Sequence, residues 1–404
     1  MKPRSVIARA LAVLAFLALF ILAPGTALAA TGDPAEPGVA DTSQVTESAP
    51  AERVDVVARG GPADVELLAA GGEREASILA QEPDDPVDDP PAGTEDEIDE
   101  PAPPVGAPFQ ERLAQTLLTG LQYGGIIAIC AVGLSLVFGT TRLINFAHGE
   151  LVTFGMVVAF FFNAAVIGPG LHIIPATVLA VIVGALLGAG LDRGLWRPLR
   201  MRGVGRINMF IISIGLALLI RHLILIVYGS RPGNYTDYQV QPVINWWWFS
   251  ATPRGLWVLG LSVIVLLAVA LMLERTRVGT AIRAVADNRD LAASSGINVN
   301  YVIMVVWMLA GGLTAFGGVM FGLTQVVAWD MGFRLLLLMF AAIILGGLGK
   351  PYGAMVGGFA VGVVAHVSTL WFPAELQNMW AMLVLIVVLI VRPQGVLGRK
   401  ERVG

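Results

Sequence analysis

From Leu113 onward the chain alternates between long apolar runs and short polar breaks. The runs cover 113–138, 150–168, 173–192, 207–228, 255–273, 301–323, 333–347, 352–371 and 379–392. Most approach the ~20 residues that a helix needs to cross the hydrocarbon of a bilayer. Helix is the default there, because lipid offers the backbone no hydrogen-bond partner and each span must satisfy itself. The run 333–347 is short and ends in glycine, so it reads as a tilted or half-spanning helix. The pattern predicts an all-α, polytopic membrane helix bundle of eight to nine spans over residues 111–404.

Two segments precede the bundle. Residues 1–29 have the form of a signal peptide. Lys2, Arg4 and Arg9 come before the apolar stretch Ala10–Ala23, Pro24 and Gly25 break it, and Ala27-Leu28-Ala29 supplies small residues at a cleavage position. Residues 30–110 are rich in Pro, Gly, Ala and acids. Such a segment buries too little apolar surface to offset the entropy of ordering, so a disordered acidic extracytoplasmic tail is expected.

Charge sharpens this division. Only 14% of the 404 residues are charged, against 56% hydrophobic, well below the roughly 25% charged typical of soluble domains. The tail 30–110 holds 20 acids and 3 arginines, whereas 111–404 holds 10 acids and 20 bases. With nine spans, 15 bases fall on one side of the membrane and only Arg112, Arg231 and Arg254 on the other. The crowded side carries Arg142, the arginines of 193–206 and 274–300, Lys350 and the C-terminal cluster. Basic loops stay cytoplasmic, which puts the tail outside and the C-terminus inside.

The chemistry on offer is sparse. Cys130 is the single cysteine, which excludes an internal disulfide and a cysteine-based metal site. No His-Glu-x-x-His or Gly-x-Ser-x-Gly pattern and no paired intramembrane acid is present, so catalytic residues are lacking and no metal site is expected. Leu348-Gly349-Lys350 is followed by Pro351, so the phosphate-binding loop of an ATPase is absent. An ion-coupled secondary transporter would favour carboxylates at span centres; Glu150 and Asp330 read as lying at span edges.

Three polar stretches stand out. The break 274–300 suits a short amphipathic helix under the membrane, ended by Gly296. Asn145-Phe146-Ala147-His148-Gly149-Glu150 places polar groups at a membrane break. They read either as a gate beside a translocation path or as a turn in which Asn145 caps a helix and His148 pairs with Glu150. Gly346, Gly347 and Gly349 permit a sharp turn or close helix approach. Arg221, within an apolar run, either meets a solute carboxylate or reaches the outer interface. Gln122 is a second candidate solute contact. Arg334 is expected to snorkel to the outer surface. The loop 229–254, with Tyr235, Tyr238 and Trp246–Phe249, reads as an interfacial aromatic belt or a docking surface.

These stretches resemble the permeases of branched-chain amino acid ABC transporters. Arg277, Gly279, Ala281, Arg283, Ala284, Asp287, Ala292, Gly296 and Ile297 match the family's ATPase-coupling loop. Gly133, Leu143–Glu150, Arg197-Pro198-Leu199 and Leu345–Gly358 match further motifs, so the likeness covers nearly all of 111–404 but none of 1–110. It implies a bacterial plasma-membrane importer subunit. The implied partners are a second, related or identical permease subunit, two cytoplasmic ATPases that use ATP and Mg, and an extracytoplasmic substrate-binding protein. No cofactor bound by this chain and no nucleic acid is implied. It implies Leu, Ile, Val or another amino acid as solute, with urea or short amides, carried by close relatives, as the alternative.

Overall fold

A computed structural model describes residues 109–165, 168–238, 241–245, 250–391 and 395. The signal-like segment, the acidic tail up to residue 108, Trp246–Phe249 and the C-terminal basic cluster lie outside these residues.

The apolar runs become helices. They are α1 (Phe109–Thr141), α2 (His148–Asn163), α3 (Ile173–Leu191), α4 (Arg197–Met201), α5 (Arg206–Tyr228), α6 (Pro253–Arg275), α7 (Arg277–Asp287), α8 (Arg289–Ser294), α9 (Val299–Thr324), α10 (Met331–Gly346), α11 (Pro351–Ser368) and α12 (Gln377–Val391). A two-residue antiparallel ladder, Ile244–Asn245 with Ser250–Ala251, closes the loop before α6. Six helical stretches are long and apolar enough to cross a membrane: α1, Ile173–Met201, α5, α6, α9 and α11. Three apolar helices are shorter: α2, α10 and Ala374–Ile390.

Two boundaries differ from the hydrophobic pattern. The polar break at 193–206 is not a loop at its start: a π-helical turn, Asp192–Trp196, carries α3 directly into α4. Buried Trp196 stacks on Trp307 of α9, and this contact holds the turn against the bundle although its other side is basic. The run 150–168 is not a full span either. Its helix starts at His148 and stops at Asn163.

The start of α2 lies deep in the bundle. His148 Nε2 sits 3.1 Å from the carbonyl of Cys130, eleven residues before the end of α1, which is roughly 16 Å along its axis. The chain returns to that depth through Arg142–Ala147. α10 behaves in the same way from the opposite direction. Its first turn meets the first turn of α2: the backbones of Gly149 and Gly332 touch, and Gly332 N donates to Thr153 Oγ1 at 2.9 Å. Two half-length helices therefore meet with their N-termini inside the bundle and run to opposite ends.

The rest of the packing follows the same inversion. α1 lies along α11 as α9 lies along α3, and α1 and α9 cross each other at the centre. α5 rests on α2 as α12 rests on α10. The units α1–α2–α3–α5 and α9–α10–α11–α12 thus relate as inverted repeats, an architecture common in transporters. Both long seams use small residues at four-residue spacing. Gly120, Gly124 and Ala128 meet Gly358 and Gly362, while Gly184 and Gly188 meet Gly311 and Ala315. Backbone on backbone is the closest packing that helices achieve in an apolar solvent, where dispersion rather than water exclusion drives association.

Candidate functional site

The waist where α2 and α10 meet is the polar centre of an otherwise apolar bundle. The segment entering it must satisfy its backbone without a helix. Side chains do so. Thr141 Oγ1 accepts from Leu143 N at 3.3 Å, Ser213 Oγ of α5 accepts from Phe146 N at 3.2 Å, and Asn145 Oδ1 accepts from Ala147 N at 3.1 Å. Asn145 therefore supports the approach to α2 rather than capping it; the cap position is Ala147, without a side-chain bond. Ser213 carried no signal in the sequence.

His148 and Glu150 do not pair with each other. His148 is fully buried against α1 and turns its Nε2 to Cys130 O. Glu150, also fully buried, binds Arg221 of α5: its Oε1 accepts from Nη2 at 2.7 Å and from Nε at 3.1 Å. Arg221 thus points into the bundle, not to the outer interface. Its guanidinium also lies 4.2 Å above the ring centroid of Phe333 of α10. One ion pair and one cation–π contact join α5, α2 and α10 at the waist. A helix edge is here not a membrane edge, so Glu150 is more deeply set than the hydrophobic pattern implied.

Asp330 and Arg334 form a second ion pair at the start of α10. Arg334 Nε lies 3.1 Å from Asp330 Oδ2 across the first turn of α10. Arg334 is 53% exposed, although its helix begins beside Gly149. Its side chain is thus paired within the first turn of α10 and open on its other side.

The remaining candidates fall elsewhere. Gln122 is buried where α1 packs on Gly255 of α6, so it does not share a surface with Arg221. Gly346 packs on Gly353, and Gly347 and Gly349 turn the chain with positive φ of 106° and 75°. They lie at the far end of α10 from Glu150 and build the corner into α11.

The segment 274–300 folds as two helices rather than one. Asn288 Oδ1 accepts from Asp290 N and Leu291 N, which starts α8 afresh. Gly296, at φ 83°, ends it as expected, with Ile297 N returning to Ala292 O. Gly279, Ile282, Val285 and Ala292 face the bundle. Arg277, Arg283, Asp287 and the apolar tip Leu291 are exposed, and Ala284 is half-buried. Gly279 lies so close to the carbonyls of Met272 and Leu273 that no side chain fits. Behind this pair, Asp192 and Arg200 form a buried ion pair at 2.6 Å. Burial, then the Arg200 charge, lowers the pKa of neighbouring Arg289.

In the loop 229–254, Tyr235 is not interfacial. It is buried, donates to Met156 O at 3.0 Å, and burial raises its phenol well above the usual range. Tyr238 is exposed and meets His172 edge-on.

A family model described as the permease component of the branched-chain amino acid transport system matches residues 116–392. The chain belongs to that permease family. The high-affinity branched-chain amino acid transport system permease protein LivH of Salmonella typhimurium is 30% identical over 304 residues, covering 71% of this chain and 96% of the relative. BraD of Pseudomonas aeruginosa, named for the same system, is 30% identical over 303 residues, with the same coverage. The ribose import permease protein RbsC of Escherichia coli is 29% identical over 259 residues, covering 60% of this permease and 74% of the relative. No solved structure matches. The permease is accordingly a multi-pass membrane protein of a transport family rather than an enzyme. The matched span covers both repeats and the waist between them.

Proposed function

We propose that this permease is the membrane subunit of an ATP-driven importer for branched-chain amino acids. The observation that carries this reading is the family match across 116–392, joined by relatives named for that transport system. Two cytoplasmic ATPases, which hold ATP and Mg, dock on the exposed face of α7 and α8 through Arg277, Arg283, Asp287 and Leu291. The basic end of the bundle is then cytoplasmic, a reading the charge bias supports, and the tail lies outside. A second permease subunit packs beside the first, and an extracytoplasmic binding protein delivers the solute.

The solute passes the waist along the exposed side of α10, where Arg334 and Asp330 offer charges of both signs to an amino acid's carboxylate and ammonium. Glu150 and Arg221 hold the two half-helices behind that surface. When the ATPases close, they move α7 and α8, and α6 transmits the movement to α1 and α11, against which it packs.

The test is uptake of labelled leucine and labelled urea by cells expressing the complete transporter. Leucine uptake is expected, with loss in Arg283→Glu and in Arg334→Gln while the subunit remains in the membrane. Urea uptake without leucine uptake would reassign the solute. Full leucine uptake in both variants would remove the docking and pathway roles.

A further inference from the structure

Beside the π-helical turn lies an open cavity of about 460 Å³, lined by Arg193, Arg197, Pro198, Met201 and Arg202. Three of its five lining residues are arginines. Asp192, next to Arg193 in the chain, pairs with Arg200 and also feels the Arg197 charge, and among the described residues Arg193, Arg197 and Arg202 make no direct ion pair. Like charges gathered around a concavity repel one another unless an anion sits between them. The basic end of the bundle therefore carries a concave arginine cluster apart from both the waist and the α7–α8 face.

The surroundings identify the anion. Ile182, Leu186 and Gly190 form an exposed stripe along α3 that runs to Arg193 on the same side. Gly190 and Gly194 have open space where a side chain would stand. Met201, which lines the cavity, and Ile207, which follows at the start of α5, are 71% and 76% exposed. An exposed apolar stripe thus leads along a membrane-crossing helix to a cavity lined by arginines. A soluble anion would leave the apolar stripe beside the cavity unused. A molecule with a phosphate head and acyl chains fills both parts.

We propose that this cavity binds the headgroup of an anionic glycerophospholipid, with Arg193, Arg197 and Arg202 on the phosphate and an acyl chain along Ile182, Leu186 and Gly190. The lipid ties the turn between α3 and α5 to the leaflet at the basic end of the bundle. It stands independently of which solute the permease carries.

The full-length permease, purified in a non-ionic detergent, is compared with the triple variant Arg193→Gln, Arg197→Gln, Arg202→Gln by native mass spectrometry. Both are also titrated with phosphatidylglycerol, phosphatidylethanolamine and inorganic phosphate while the melting temperature is followed. The wild type is expected to retain phosphatidylglycerol and to be stabilised by it in preference to phosphatidylethanolamine. Each arginine near an anionic headgroup contributes roughly fivefold in affinity, so the triple variant should bind phosphatidylglycerol about a hundredfold more weakly. The double variant Arg277→Gln, Arg283→Gln, which removes two exposed arginines away from the cavity, should bind as the wild type does. Equal retention of phosphatidylglycerol by the triple variant overturns the proposal. So does stabilisation by inorganic phosphate that matches that by phosphatidylglycerol, which would mark a free-anion site. Unchanged lipid binding with lost ATPase co-purification also overturns it, and would assign the arginines to the ATPase.

Discussion

Arg221 of α5 and Glu150 of α2, 71 residues apart, share one carboxylate oxygen between two guanidinium nitrogens at 2.7 and 3.1 Å. The pair is nearly removed from solvent, with side chains 15% and 0% exposed. Breaking such a pair from one side strands a buried charge and costs about 3–5 kcal/mol, whereas replacing both partners with apolar groups of similar size costs far less. Glu150→Met and Arg221→Met are each expected to lower the melting temperature of the purified permease sharply. The double variant should recover most of the loss. Additive losses would mean that the two side chains do not act together.

The two small-residue seams predict a pattern of tolerance along the glycines. A side chain at Gly362 would enter the backbone of Gly124, and one at Gly188 would enter that of Trp307. Gly362→Val and Gly188→Val should therefore each destabilise the bundle by about 1–3 kcal/mol or more, through overpacking. Gly215 and Gly260 have open space instead. Alanine there relieves backbone entropy, so Gly215→Ala and Gly260→Ala should be neutral or stabilising by about 0.5–1 kcal/mol. Membrane levels and unfolding temperatures of the four variants check the contrast.

Much of this arrangement was legible in the chain. The apolar runs located nine helices to within a few residues, because a bilayer imposes length and polarity on each one. Gly296 was legible too, since a left-handed helix end needs glycine. Depth was not. His148 and Glu150 follow an apolar run as an ordinary loop would, and only the packing of His148 on Cys130 reveals that the loop climbs back into the bundle. Glu150 and Arg221 belong to different helices, so no local spacing linked them. Tyr235 looked interfacial because its neighbours are aromatic, although the fold turns it inward. Asp192 closed the run 173–192 while Arg200 stood in the arginine-rich break that followed, because charge density masks a helix that continues through a π turn.

The face of α7 and α8 separates two kinds of residue that the sequence presented together. Thr276 Oγ1 accepts from Gly279 N at 3.0 Å and donates to Met272 O at 2.6 Å, closing the corner between α6 and α7. Gly279 fits there only because it lacks a side chain. Gly279→Ala is expected to lower the folded yield, and Thr276→Ala to cost about 1 kcal/mol as a lost cap. Arg283, exposed on the other side of α7, should behave in the opposite way. Arg283→Glu is expected to keep the stability within about 0.5 kcal/mol of the wild type while abolishing ATPase co-purification. If Arg283→Glu unfolds the protein and Gly279→Ala does not, the division is wrong.

The loop between α5 and α6 is fastened by a polar knot with no counterpart in the hydrophobic pattern. Asp237 Oδ2 accepts from Asn163 Nδ2 at 2.6 Å and from Ile173 N, in the first turn of α3, at 2.7 Å. Asn163 Oδ1 in turn accepts from Thr236 N at 2.7 Å. One carboxylate therefore joins the end of α2, the start of α3 and the loop, and its charge suits a helix N-terminus. Hydrogen bonds to a charged group contribute about 1.5–3 kcal/mol each when buried. Asp237→Ala should free the loop, which limited proteolysis of the purified permease would register as faster cleavage between α5 and α6. Asp237→Asn keeps an accepting oxygen but loses the charge, so its cleavage rate should fall between the two. Cleavage of Asp237→Ala at the wild-type rate would show that Tyr235, bonded to Met156, holds the loop without the knot.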